Sequence, residues 1–99
     1  MTVKIQSVHF DADKKLLEFV QERINKLNHY YDEIISSDIT LRLDKSDVDA
    51  NKVAEIKLHI PGSDLFAKKT CKSFEEAIDT SIDALKTQVK RHKEKIKGL

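Results

Sequence analysis

The chain has 99 residues, 39% of them apolar and 35% charged, and carries a formal net charge of only +1. This length supports one domain, residues 1–99, with a modest core that needs no disulfide or structural metal, and the composition excludes a disordered tail. Because Cys71 is the only cysteine, the chain cannot form an internal disulfide. No apolar run has the length of a membrane span or an export signal. We therefore expect a cytoplasmic protein that binds no membrane.

The first two predicted elements are a short strand and a helix. Val3 and Ile5, with Val8 more loosely, alternate with polar residues as in a strand. Asp11 or Asp13 can then cap a helix by accepting a hydrogen bond from an early backbone N–H. The helix has apolar residues at three- and four-residue steps, namely Leu17, Val20, Ile24, Leu27 and Tyr31.

One flank of this predicted helix mixes aromatic and basic side chains: Phe19, Arg23, Lys26 and Tyr30. Amphipathic side chains often line the partly covered edge of a helix, which is the simplest interpretation. The alternative is that this flank belongs to an anion-binding face.

Three strands are predicted next. Ile39, Leu41 and Leu43 alternate with polar residues, and so do Ala54, Ile56, Leu58 and Ile60, which Pro61 and Gly62 end in a turn. The polar residues 44–52 between these strands form an acidic hairpin connection, unsuited to contact with a polyanion. Leu65, Ala67 and Cys71 suggest a fourth strand, although Lys69 falls in their phase and implies a bulge, an edge position or a different register.

The last helix is predicted to begin after Ser73, a suitable N-cap. Its apolar positions are Phe74, Ile78, Ile82, Leu85, Val89 and Ile96. A second row, about a quarter-turn away, contains Lys86, Lys90, Lys93 and Lys97. One helix therefore offers a face for the core and a second face for an anion.

The charges of this helix are sorted along its axis. Its charged residues before position 84 are all acidic, whereas residues 84–99 carry six basic residues and one acidic residue, a local charge of +5 against −4 for residues 1–83. Basic residues late in a helix also complement its dipole, and a charge run is often a solvated face. Both interpretations stay open at this point.

The element order predicts an α+β two-layer sandwich, β-α-β-β-β-α. The first strand should lie parallel to the second through a right-handed crossover, and the later strands should form an antiparallel meander. Because each strand has one apolar face, both helices should pack on the same side of the four-stranded sheet.

The sequence contains no catalytic or metal-binding motif. The histidines lack metal-ligand spacing, the two glycines form no phosphate loop, and Cys71 suits a small buried thiol. We therefore expect no enzyme, no cofactor, no metal and no small-molecule substrate.

The lysine row suits a phosphate backbone instead. Lysines at steps of four, three and four residues can follow such a backbone, giving salt-sensitive affinity that depends little on sequence. Lysine reads no base code, so the partner would be recognised by shape. The alternatives are a generic module for double-stranded RNA and a protein-interaction or small enzyme domain in which the basic residues only complement the dipole.

The run IDTSIDALKTQVKRHKEKIK, residues 78–97, resembles the last helix of the ribosome hibernation promoting factor and ribosome-associated translation inhibitor family. The shared features are paired Ile-Asp steps, a Leu, a Gln and the ending Lys/Arg-His-Lys-x-Lys. Arg23, Lys26 and Tyr30 similarly resemble residues that close the first helix of that family. The chain departs from the family pattern at Ser73-Phe74-Glu75, at Lys69 and in the longer FDADKK segment.

The resemblance implies a domain similar in layout to double-stranded RNA-binding domains. It would bind the small ribosomal subunit in the channel for messenger and transfer RNA, silencing ribosomes in stress or stationary phase, and would be a monomer off the ribosome. Because the chain ends at Leu99, a short form without the extra C-terminal domain is expected. Tyr30 would stack or merely pack, and the implied contacts with ribosomal RNA are Arg23, Lys26, Lys86, Lys90, Arg91, Lys93 and Lys97.

Overall fold

The computed structural model describes residues 1–44 and 49–96 and confirms the predicted element order. Residues 45–48 of the predicted hairpin connection, the side chain of Ile96, and Lys97 lie outside the described part. The elements are β1 (Thr2–Val8), α1 (Lys14–Tyr30), β2 (Ser36–Leu43), β3 (Lys52–Ile60), β4 (Ser63–Cys71) and α2 (Phe74–Ile96).

The strands form one four-stranded sheet in the order β1-β2-β3-β4. As predicted, β1 is parallel to β2, while β2 pairs antiparallel with β3 and β3 with β4. Parallel neighbours need a long crossover, which α1 supplies between β1 and β2.

One face of the sheet carries the core. In its central row Ile5, Ile39, Ile56 and Ala67 lie side by side across the four strands. Both helices contribute buried side chains to the same cluster, among them Ile24 and Leu27 of α1 and Ile78, Leu85 and Val89 of α2. The predicted two-layer sandwich is therefore confirmed.

The N-caps hold both helices where the sequence indicates. Of the two candidates for α1, Asp13 is the cap, and its carboxylate accepts a hydrogen bond from the Leu16 amide at 2.8 Å. The Ser73 hydroxyl accepts a hydrogen bond from the Glu76 amide at 3.1 Å.

The predicted apolar stripe of α1 is wrong at one position, in the first turn of the helix. Leu17 is 38% exposed, whereas the adjacent Leu16 packs against the core. The other predicted stripe residues, Val20, Ile24, Leu27 and Tyr31, are buried, so the helix turns Leu16 rather than Leu17 toward the core in its first turn.

The position of β4 in the sheet explains why Lys69 falls in phase with the apolar residues of that strand. Its pairing with β3 is continuous from Ser63 to Cys71, without a bulge, and β4 is an edge strand. Lys69, opposite Ala54, is exposed because it lies at this edge. The edge is partly covered, since Gln88 of α2 donates a hydrogen bond from Nε2 to the carbonyl of Phe66 at 2.7 Å.

Two residues with positive φ shape the connections. Gly62 has φ 79° at the third position of the Pro61–Gly62 hairpin turn, as a type II turn requires. His9 has φ 68° directly after β1, and the next residue, Phe10, stacks on Phe74 with ring centroids 4.5 Å apart. The stacked pair joins the start of α1 to the start of α2.

Candidate nucleic-acid interface

The two helices run in the same direction and form a seam on the outer side of the helical layer. Contacts between them follow one another in chain order: Phe10 with Phe74, Arg23 with Asp79, and Tyr30 with Lys93. The predicted flank of α1 and the predicted lysine row of α2 therefore border the same seam. The structure brings these two groups together, as expected from both helices lying on one face of the sheet.

Arg23 of α1 is held at the end of the seam that borders the acidic first half of α2. Its Nε donates to Asp79 Oδ1 at 2.9 Å, and its guanidinium carbon lies 4.3 Å from the centre of the Phe19 ring. The side chain is 30% exposed, so the guanidinium still reaches solvent. Arg23 thus has a well-defined position between a carboxylate and an aromatic ring.

Lys26 lies on the same flank of α1 and is exposed. Its Nζ is 3.7 Å from Glu22 Oε1, in an i,i+4 ion pair at the surface. Pairs this exposed contribute only about 0.3–0.5 kcal/mol, so a phosphate could take the place of Glu22.

The basic end of the seam lies in the second half of α2. Lys86 and Lys90 are exposed, and the helical period places them on the flank from which Asp79 and Lys93 contact α1. Among the ion pairs found within the described part of the chain, none involves Lys86 or Lys90.

Arg91 is placed differently from the lysine row. It follows Gln88 by three residues, and Gln88 reaches the edge of β4. Arg91 is exposed on that side of α2, away from α1. A nucleic acid lying in the seam would meet Arg91 only if it also covered the outer side of α2.

Lys93 closes the seam over two adjacent tyrosines. Its Nζ lies 5.2 Å from the ring centre of Tyr30 and 5.0 Å from that of Tyr31, within cation–π distance of both. Tyr31 is 4% exposed, and its hydroxyl donates to Glu33 at 3.0 Å. Burial, with the Glu33 hydrogen bond, raises the pKa of Tyr31 above its ordinary value. Tyr30, in contrast, is 46% exposed at the end of the seam.

The carboxylates that neutralise the α1 side were not assigned by the sequence prediction. The Glu22–Lys26 pair could have been found from its i,i+4 spacing. The Arg23–Asp79 pair joins residues 56 positions apart, so it depends on how α1 packs against α2. The seam is consequently cationic at the Lys86–Lys93 end and close to neutral around Arg23.

The opposite face of the sheet is crossed by ion pairs. His59 Nε2 lies 2.9 Å from Asp38 Oδ2, and His59 Nδ1 lies 3.0 Å from Asp64 Oδ1. These hydrogen bonds, the one to Asp38 first, raise the pKa of His59 above its ordinary value. On the same face Glu55 pairs with Arg42 and Lys68. The cations there are largely matched by carboxylates, unlike those at the basic end of the seam.

Within residues 1–44 and 49–96, no group of three or more His, Cys, Asp or Glu side chains could hold a metal ion. Neither of the described helices has the length and apolarity to cross a membrane.

The fold and the seam define a small α+β domain with one positively charged helical surface. The chain belongs to the family described as Sigma 54 modulation protein / S30EA ribosomal protein, whose model matches residues 3–97. This confirms the family predicted from the last helix.

Relatives and solved structures agree with this assignment. A protein of Azotobacter vinelandii named ribosome hibernation promoting factor is 30% identical over 95 residues, covering 96% of this chain and 85% of that protein. A protein of the same name from Escherichia coli strain K12 is 29% identical and covers 98% of each chain. The N-terminal domain of Thermus thermophilus Protein Y superposes with a TM-score of 0.79 at 25% identity, covering 93% of this chain and 99% of that domain. A ribosomal subunit interface protein from Coxiella burnetii has the same fold, with a TM-score of 0.85, 20% identity and coverage of 95% and 99%.

Proposed function

We propose that this chain is a ribosome hibernation factor that binds the small ribosomal subunit in the channel for messenger and transfer RNA. It would silence translation in stress or stationary phase, in the cytoplasm. The observation that carries the proposal is the basic end of the seam, where Lys86 and Lys90 have no carboxylate partner among the described residues, in a member of this family. The relatives named ribosome hibernation promoting factor support the same role.

The proposed contacts are electrostatic. Lys86, Lys90 and Lys93 advance along α2 in steps of about 6 and 4.5 Å, which suits successive phosphates of a folded RNA. Lys26 would add a contact from α1 after leaving Glu22. Arg23 would add another, and Arg91 and Lys97 would extend the contact surface, although Lys97 lies outside the described residues. The domain would act by occupying the channel rather than by catalysis.

The partner is expected to be ribosomal RNA recognised by its shape. Ammonium groups attract any phosphate, so specificity must come from where the phosphates are placed. The region around Arg23 and Asp79 is nearly neutral, so charge alone attracts little RNA to that end of the seam. Close contact there therefore requires an RNA surface of matching shape. A plain duplex would match fewer of these positions than the ribosomal site does.

The test is cosedimentation with purified small subunits at increasing salt. Lys86→Glu/Lys90→Glu should abolish binding at moderate salt, and each lost phosphate contact should reduce the salt slope by about 0.7–0.9. The control is Lys4→Glu/Lys57→Glu, which changes the charge equally on the opposite sheet face, breaks only the exposed Lys57–Asp64 pair at 3.9 Å among the ion pairs of the described residues, and should bind like the unchanged chain. Loss of binding in both variants, or in neither, would contradict the proposed interface.

A plain RNA duplex separates this function from a generic module for double-stranded RNA. The unchanged chain should bind small subunits at least tenfold more tightly than a duplex of about 16 base pairs, the length that such modules span. Equal affinity for both would favour the generic module. If the Lys86→Glu/Lys90→Glu variant binds its partner as tightly as the unchanged chain does, a protein-interaction domain would be favoured.

A further inference from the structure

We infer that Asp79 is a positioning residue, which holds the Arg23 guanidinium so that its two terminal nitrogens face a phosphate of the bound RNA. This inference rests on the proposed function. It assigns a favourable role in RNA binding to an acidic residue, whereas its charge alone would oppose a polyanion.

The geometry around Arg23 fixes the guanidinium on two sides. Asp79 accepts from Nε at 2.9 Å, and the Phe19 ring lies 4.3 Å from the guanidinium carbon. The carboxylate thus fixes the position of the group, and the ring supports one face of its plane. An arginine held this way has lost much of its rotational freedom before any ligand arrives.

The terminal nitrogens of Arg23 are left for a ligand. A guanidinium has five N–H donors, and Asp79 engages only the one on Nε. Glu22 Oε1 lies 3.7 Å from Nη1, too far for a hydrogen bond. Within the described residues no acceptor is bonded to Nη1 or Nη2, and the side chain is 30% exposed. Two terminal nitrogens on one rigid plane suit the two oxygens of a phosphate.

The position of Asp79 on α2 fits this role. It lies on the α1-facing flank, seven residues or about two turns before Lys86. Asp83, one turn after Asp79, lies close to the same flank and is exposed, but its side chain forms no ion pair among the described residues. Asp83 therefore provides a control that has the same charge and nearly the same location, without contact to Arg23.

The two carboxylates should respond to neutralisation with opposite signs. Asp83→Asn removes a negative charge near the RNA and should leave affinity for small subunits unchanged or raise it about twofold. Asp79→Asn also removes a negative charge, yet it should lower affinity about fivefold, the factor for ordering one long side chain on binding. It should also reduce the salt slope, because the phosphate contact of Arg23 is weakened.

A double variant separates positioning from a general structural effect. In an Arg23→Ala background, Asp79→Asn has no guanidinium to release and should no longer weaken binding. A loss that persists in this background, or a gain from Asp79→Asn alone that equals the gain from Asp83→Asn, would overturn the inference. Thermal unfolding of each variant shows whether it is folded at the temperature of the assay.

The same variants are measured against a plain RNA duplex. If the unchanged chain fails to bind small subunits but binds the duplex, the ribosomal proposal is wrong, and the order of the variants on the duplex still decides the role of Asp79. If the unchanged chain binds neither RNA, Arg23 has no phosphate to meet and both proposals fail.

Discussion

Substitutions at the two adjacent tyrosines near the end of α1 should have different effects on stability and on RNA binding. Tyr31 is 4% exposed and belongs to the core cluster, whereas Tyr30 is 46% exposed beside Lys93. Truncating a buried aromatic residue costs about 3–5 kcal/mol, so Tyr31→Ala should remove a large part of the 5–15 kcal/mol typical of a domain. Tyr30→Ala should cost less than about 1.5 kcal/mol, because only about half of the Tyr30 surface is buried in the folded protein.

The effect on binding should be the reverse. If a base of the ribosomal RNA stacks on the exposed ring of Tyr30, its removal costs about 1–3 kcal/mol of binding free energy, or roughly fivefold to 150-fold in affinity. Urea unfolding measures the first effect and cosedimentation with small subunits the second. Tyr30→Phe is the control, since it keeps the ring and should bind normally.

Two results would refute this reasoning. Unchanged affinity of Tyr30→Ala would mean that the ring only packs beside Lys93. Equal free energies of unfolding for the two alanine variants would mean that the neighbouring rings do not differ in burial as the structure has them.

Two predictions concern pH and the hairpin turn. Because the pKa of His59 is raised from 6.5, its stabilising effect should be fully present below pH 6.5 and be lost as pH rises through the folded-state pKa; His59→Gln should remove this dependence from urea unfolding, and an unchanged pH profile would contradict it. Gly62→Ala should cost about 1 kcal/mol, since φ is 79°, although no atom beyond the two neighbouring residues lies within 4 Å of the added Cβ. Gly62→Asn should cost less, because Asn tolerates this conformation, and equal losses in urea unfolding would exclude backbone strain as the cause.

The elements of the fold were predictable because the pattern of apolar residues reports directly which side of each element is covered. Alternation gave the strands, and steps of three and four residues gave both helices. Leu17 and Lys69 show the limit of this signal. Each fits the period of its element, yet both are exposed, one at the start of α1 and one on the edge strand β4. Periodicity identifies a face but does not show where the neighbouring layer ends.

The candidate site was predictable as two groups of residues but not as a charge distribution. The lysine row follows from the helical period alone, whereas the neutral region depends on Arg23 meeting Asp79 across the packed helices. Charge counts along the sequence treat Arg23 as a free cation. The contact with the Phe19 ring, four residues earlier in α1, follows from the helical period, but only the tertiary structure shows that the Asp79 carboxylate holds the guanidinium.

The structure also bears on whether the basic residues merely complement the helix dipole. Stabilisation by the dipole falls off within the last turn of a helix. Helix α2 spans Phe74–Ile96, and its last turn contains Lys93 and Lys95. Lys86 and Lys90 lie ten and six residues before Ile96, beyond the reach of that effect. Nor does any ion pair among the described residues account for them. A dipole complement therefore leaves these two lysines unexplained, whereas the anionic partner that we propose along the seam would account for both.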